Sequence, residues 1–200
     1  MQECVIIGRP NSGKTIFALQ FASFVGARSV DITARSPDNL LTCRHYSVKD
    51  AKNDLCSLTL HKTRMIQSIV IKMAIGKAEV AFKLTDTCGL TETIHPEPAI
   101  RYGMAQTLGL MRSANLILHM IDVSQVTADY SKQETIDYEI YHYGLTRKFY
   151  MILANKMDLP TAKEGLTRLK SIFPSTFILP ISALYNQGLG EVKSYVARNV

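Results

Sequence analysis

Apolar residues in this chain fall into two rhythms. Nearly continuous runs stand at Glu3-Cys4-Val5-Ile6-Ile7, from Asn115 to Val123 and from Lys148 to Ala154, the mark of strands buried on both faces. Elsewhere apolar residues recur at helical spacing. One such face carries Ile100, Met104, Leu108 and Met111. A second carries Ile136, Ile140 and Tyr143, with Gly144 as its stop. A third carries Leu166, Leu169 and Ile172, opened by Thr161 and Glu164 as a capping box, and a fourth carries Leu189, Val192 and Val196. Thr15 to Val25 reads as a further helix. Met65 to Ile75 is β-branched and partly alternating, Gly76-Lys77 marks a tight turn, and Ala78 to Thr85 is the antiparallel partner. Thr176 to Ile181 is a last short strand.

Between Gly26 and Lys62 the pattern breaks down. Polar residues are scattered, Ser36-Pro37-Asp38-Asn39 signals a turn, and only short apolar pieces such as Leu40-Leu41 and Leu55-Cys56 interrupt them. A long, mobile, partly ordered segment is expected there, and such segments usually carry function. After the hairpin, strands and helices alternate, so the sheet should be mostly parallel with helices on both faces. Ligands on such sheets bind beyond the carboxyl ends of the strands.

Composition narrows the class. At 200 residues, with 46% hydrophobic and 20% charged positions, the chain should form one globular domain. Met1-Gln2 leads straight into the first strand, and no apolar run approaches the ~20 residues that span a bilayer. A cytoplasmic setting without a transmembrane segment is expected. Cysteines 4, 43, 56 and 88 show neither metal-ligand nor C-x-x-C spacing and read as reduced thiols. The net charge of +6 suits a polyanionic ligand or partner. Within it, Arg28, Arg35, Arg44, Lys49, Lys52, Lys62, Arg64, Lys72 and Lys77 tilt one region basic. An acidic or RNA partner fits that tilt, as does an ordinary solvated face.

The candidate chemistry lies at the strand ends. Gly8-Arg9-Pro10-Asn11-Ser12-Gly13-Lys14-Thr15 fits G-x-x-x-x-G-K-[ST] in full, after a strand and before a helix. Backbone N–H groups of such a loop converge on phosphate at a helix N-terminus. Lys14 would place a cation on the outer phosphates, and the Thr15 hydroxyl would ligate Mg²⁺. Asn155-Lys156-Met157-Asp158 then selects the base. A carboxylate at Asp158 can accept from the guanine N1–H and exocyclic amine, whereas adenine would leave it facing a lone pair. Sites of this kind discriminate by roughly 10⁴-fold, because the wrong ligand strands buried polar groups. Asn155 would orient the loop, the Lys156 stem would cover the base, and Ser182-Ala183-Leu184 would offer a backbone N–H to guanine O6. Asp86, ending its strand, is the expected acid behind Mg²⁺, and Gly89 would donate an N–H to the γ-phosphate. Loss of that contact on hydrolysis is an order–disorder switch.

P-loop, D-x-x-G, N-K-x-D and S-A-L, in this order, resemble the P-loop GTPases. The G-R-P-N-S-G-K-T form is most similar to their Era/TrmE-like bacterial branch of the TRAFAC class. The resemblance implies a three-layer α/β P-loop NTPase fold, the Ras-like G domain. Its sheet is mostly parallel and six-stranded, with one antiparallel edge strand. The whole of 1–200 would be one GTP-binding domain with a long switch I at about 27–64. Implied ligands are GTP or GDP and Mg²⁺. Asn11, Ser12, Gly13, Lys14, Thr15 and Ile16 would hold the phosphates, and Asn155, Lys156, Asp158, Ser182, Ala183 and Leu184 the base. Thr15, Asp86 and a switch I threonine would surround the metal. Thr63, followed by Arg64, matches the family context for that threonine, with Thr59 as rival. Lys14, Thr63 and Gly89 would carry the catalytic contacts. Asn11 occupies the place of an asparagine that coordinates K⁺ in some members, or it merely shapes the turn.

Two departures stand out. Cys88 replaces a customary proline, and Leu90 follows D-x-x-G where Ras-like enzymes use glutamine to orient water. Slow hydrolysis in the absence of a partner or cation is therefore expected. A GTP-dependent binding module with negligible turnover is the alternative, and an ATPase or nucleotide kinase is disfavoured by Asp158. Ribosome or RNA and a nucleotide-dependent dimer are the effector arrangements the resemblance suggests.

Overall fold

The computed structural model describes residues 1–36, 40–56, 66–131 and 135–200. Among these residues eight strands form a single sheet: β1 (Gln2–Ile7), β2 (Ser29–Arg35), β3 (Leu41–Ser47), β4 (Ile66–Ile75), β5 (Ala78–Asp86), β6 (Leu116–Asp122), β7 (Tyr150–Asn155) and β8 (Ile178–Pro180). Their spatial order is β3-β2-β4-β5-β1-β6-β7-β8. Every pairing from β5 through β1, β6 and β7 to β8 is parallel. The pairings β4–β5, β2–β4 and β2–β3 are antiparallel.

Among the described residues the α-helices are α1 (Lys14–Phe24), α2 (Val48–Leu55), α3 (Pro98–Ser113), α4 (Ile136–Leu145), α5 (Ala162–Ile172) and α6 (Leu189–Asn199). Alternation along the central strands sends side chains into two separate cores. Cys4 and Ile6 of β1 join Leu116, Leu118 and Met120 of β6 under α1, α2 and α6. Val5 and Ile7 join Ile117 and Ile121 under α3, α4 and α5. Each such side chain, fully buried, contributes about 1.5–3 kcal/mol. The three-layer α/β arrangement expected from the sequence is therefore present.

The strand count is not. In place of six strands with one antiparallel edge, a β2–β3 hairpin extends the sheet beyond β4. The hairpin and α2 occupy much of the stretch expected to be irregular. Only Val30 and Ile32 of β2 are buried, and β3 is exposed on both faces except for Tyr46. An edge strand that sends only Tyr46 against a core has no reason to alternate, which hid it. Ser47 caps α2 by accepting the Asp50 N–H at 3.1 Å. Of the expected turn, residues 37–39 lie outside the described residues, and so do Thr59, Thr63 and Arg64.

Two helix assignments also change. The inward face of α3 is Ile100, Gly103, Thr107 and Met111, while Leu108 points to solvent. Thr107 turns inward because its hydroxyl is satisfied by Gly103 O at 2.8 Å and Cys88 O at 3.3 Å. The capping box at α5 does not form: Thr161 makes no side-chain cap, and Glu164 pairs with Arg168 one turn on. Among the described residues no helix is long and apolar enough to cross a membrane.

Candidate functional site

The P-loop leaves β1 at Gly8 and enters α1 at Lys14. Asn11 takes a left-handed conformation at φ 60°, and its side chain is exposed. Gly13 sits at φ 100°, and a Cβ there would lie 2.3 Å from Asn155 Nδ2. That close approach has a purpose. Asn155 Nδ2 donates to Ser12 O at 2.8 Å, while its Oδ1 accepts the Ala183 N–H at 2.9 Å. One buried amide thus joins the P-loop, the end of β7 and the 182–184 loop. The Ser182 hydroxyl donates to Asp158 Oδ1 at 2.5 Å, which orients an otherwise exposed carboxylate. Lys156, at φ 68°, places its ammonium 2.6 Å from Asp122 Oδ2. A cavity of about 500 Å³ lies here, lined by Asn11, Ser12, Asp122, Tyr130 and Lys156 among others.

On the other side of the P-loop, Lys14 is buried and folds back to donate to Gly8 O at 3.2 Å and Arg9 O at 2.6 Å. Burial lowers its pKa, opposed by attraction to Asp86. Asp86, at the end of β5, accepts from the Thr15 hydroxyl at 2.6 Å through Oδ2. Its Oδ1 is buried with no protein partner, as is Ser12 Oγ. Burial pushes the Asp86 carboxyl up to about 6, against the Thr15 hydrogen bond and Lys14. An orphaned carboxylate oxygen beside a threonine hydroxyl is a donor set that fits a hard divalent cation. Thr15 and Asp86 are therefore brought together as the sequence implied.

Gly89 lies against the P-loop: a Cβ on it would meet Pro10 N at 2.5 Å and Pro10 Cα at 2.7 Å. The next N–H, of Leu90, donates to Gly8 O at 3.1 Å. The Leu90 side chain is 1% exposed and packs in the core beneath α3 and α4. Cys88 is also buried, and burial raises its thiol pKa. Ile16 is half-buried at the first turn of α1, and the Leu184 side chain is exposed while its carbonyl accepts from Gln20 Nε2 at 3.2 Å.

A charged network behind the P-loop was not legible beforehand. Arg9 Nε donates to Asp137 Oδ2 at 2.5 Å, and its terminal nitrogen donates to Glu92 Oε1. Asp137, wholly buried at the start of α4, also takes the Tyr130 hydroxyl and lies 2.9 Å from His119 Nε2. Burial pushes the Asp137 carboxyl up, but these donors outweigh it and hold it at about 2. The buried His119 Nδ1 is 2.8 Å from the Tyr150 hydroxyl. A histidine inside the apolar run 115–123 was the one sequence signal of a buried polar cluster.

Residues 3–156 match the family model described as 50S ribosome-binding GTPase. GTPase Obg of Desulfatibacillum aliphaticivorans is 34% identical over 120 residues, covering 54% of this chain and 36% of that protein. GTPase Obg of Geobacillus kaustophilus is 29% identical over 143 residues, covering 68% of this chain and 32% of that protein. The chain thus spans about a third of the length of these curated relatives. Among solved structures, Era in complex with MgGDPNP and nucleotides 1506–1542 of 16S ribosomal RNA superposes with a TM-score of 0.64. The identity is 22%, over 99% of this chain and 56% of that one. The G domain of the T. maritima FeoB iron transporter gives 0.56 at 15% identity, over 100% and 98%. Likeness at these identities shows the fold, which is the Ras-like G domain.

Proposed function

The chain belongs to the 50S ribosome-binding GTPase family of P-loop GTPases, and from that membership we propose that it binds guanine nucleotide and hydrolyses GTP to GDP and phosphate as a molecular switch. The observation that carries this reading is the junction at Asn155. It ties the phosphate-binding loop to the 182–184 loop and sets Asp158 beside them, so three motifs distant in sequence share one wall.

Each chain residue then has a task. Lys14, now bonded to two carbonyls of its own loop, would exchange them for phosphate oxygens and stabilise the charge that develops on in-line attack by water. Backbone N–H groups from Asn11 to Ile16 would cradle the phosphates. Asp158 and Ala183 would read guanine, with Ser182 holding Asp158, and the Lys156 stem would cover the base. Thr15 and Asp86, joined by Thr63 of switch I, are the residues to hold Mg²⁺, which supplies Lewis-acid charge neutralisation when bound. Asn11 would carry a K⁺ ligand. Gly89 would sense the γ-phosphate, passing its presence to a partner through switch I and through switch II, the segment that follows Asp86 and contains Gly89 and Glu92.

We assign residues 1–200 to one G domain working in the cytoplasm. Exposed Arg28, Arg35, Arg44 and Lys49 on β2, β3 and their flanks favour a polyanionic effector such as RNA or the ribosome. A nucleotide-dependent dimer is the other readout this reading admits. Buried Leu90 supports slow intrinsic turnover, and it is also the observation favouring a second reading, a GTP-dependent binding module with negligible turnover. Phosphate release from GTP, measured first in K⁺ and then in Na⁺, tests both. Slow release that K⁺ accelerates is expected for the switch. Tight GTP binding with no release in either salt supports the binding module. Equal binding of ATP and GTP overturns the guanine assignment.

A further inference from the structure

Arg9 is an unspecified position in the phosphate-loop motif, yet its guanidinium joins three segments. We infer that Arg9 and Glu92 form a latch that positions switch II for the γ-phosphate, making them positioning residues for GTP against GDP. The inference rests on the guanine-switch reading above.

The two arms of the Arg9 fork differ in kind. The arm to Asp137 is anchored. Asp137 has no solvent exposure, its two oxygens are divided among Arg9, Tyr130 and His119, and the Tyr130 ring lies 5.8 Å beneath the guanidinium carbon. An ionised carboxylate only accepts, so His119 Nε2 carries the hydrogen there. That arm fixes the Arg9 side chain, and with it a backbone carbonyl that accepts from Lys14 at 2.6 Å. The arm to Glu92 is open to solvent, both side chains being about a third exposed. The same Glu92 oxygen accepts the Ile136 N–H at 3.2 Å, in the first turn of α4.

Fixing Arg9 needs only Asp137. The second arm does something else: it ties Glu92, three residues beyond Gly89, to a rigid point. Gly89 is thereby held against Pro10, and the Leu90 N–H is held on Gly8 O. Gly89 must stand beside the P-loop to donate to a γ-phosphate, so the latch keeps switch II where that donor is needed. GDP, lacking the γ-phosphate, gains nothing from this placement. Preorganisation of this kind raises affinity by removing an ordering cost from binding.

The test compares wild type with Glu92→Ala and Glu92→Gln, measuring affinity for GDP and for a non-hydrolysable β,γ-imido GTP analogue with Mg²⁺. For Glu92→Ala, analogue affinity is expected to fall about three- to fivefold, the upper end of what a solvent-exposed charge pair contributes, with GDP affinity unchanged. Glu92→Gln keeps an acceptor oxygen for Arg9 and for the Ile136 N–H and should recover part of the loss. Equal losses for both nucleotides would mean a merely structural contact and overturn the latch. So would no loss, a gain in analogue affinity, or a glutamine variant as weak as alanine. Wild type failing to bind either guanine nucleotide overturns the switch reading itself and is seen before any variant is compared.

Discussion

Neutralising Asp86 should remove a pH-dependent cost from the nucleotide-free protein while weakening the function that Asp86 serves. The carboxyl rises from an ordinary 3.8 to about 6 because burial outweighs the Thr15 hydrogen bond and the attraction of Lys14. A group whose folded pKa exceeds its unfolded one stabilises the fold below the unfolded value. That stability is lost as pH rises through the folded value. The raised carboxyl therefore costs the fold about 2 kcal/mol at pH 5 and approaches a full cost of about 3 kcal/mol by pH 8. Lys14 is already inside that figure, since the value of about 6 includes its attraction.

Asp86→Asn keeps an acceptor for Thr15 and never ionises. Its NH₂ inherits a position where Asp86 Oδ1 has no partner, a pH-independent cost of about 1–3 kcal/mol. The informative quantity is therefore the pH dependence and not the absolute difference. Urea unfolding without nucleotide or Mg²⁺, at pH 5 and pH 8, should show the stability of the variant relative to wild type rising by about 1 kcal/mol between the two. A difference between variant and wild type that stays constant across that range refutes the reasoning, because it would mean Asp86 is not held in its neutral form by burial. In the same preparations, the dependence of nucleotide affinity on Mg²⁺ should be lost in the variant.

Further substitutions test separate parts of the site. Asp158→Asn should lower GTP affinity about 10²-fold and abolish the preference of wild type for GTP over ITP, whose base lacks the exocyclic amine, in a competition titration. Gly13→Ala drives a Cβ to 2.3 Å from Asn155 Nδ2 at a φ of 100°, so nucleotide binding should fall at least tenfold, read by fluorescence titration, with the fold losing about 1–3 kcal/mol. Leu90→Gln places an amide where Leu90 is buried; it should cost about 2–4 kcal/mol in denaturant unfolding and leave the GTP hydrolysis rate no higher than wild type.

What the sequence displayed and what it hid divide along physical lines. Strands β1, β6 and β7 were legible because both faces are buried, which calls for a nearly continuous apolar run. The motif loops were legible because backbone geometry restricts their residues, as Gly13 beside Asn155 shows. Strand β3 was hidden because only Tyr46 meets a core, so Thr42, Cys43, Arg44 and His45 carry no period. The α5 cap failed as a prediction because Glu164 found Arg168, a charged partner one turn away. Leu108 failed because Thr107, with its hydroxyl satisfied inside, took the buried side.

The Arg9 network is the deeper case. Its partners stand 83 and 128 residues away, so no local rule could connect them, and each residue alone reads as ordinary surface charge. Yet a buried carboxylate such as Asp137 must be paired, since an unpaired one would cost several kcal/mol. His119, in the middle of an all-buried strand, carries the same requirement. Two polar residues, each buried by its element and each needing a partner, become one network only once the fold brings them together. Finding His119 in β6 and Asp137 at the start of α4 raises the question of which cation reaches them, and the P-loop, which crosses the end of β1 next to β6, offers Arg9. Arg9, a residue that the motif leaves unspecified, thus ties the motif to α4 and to the loop at Glu92.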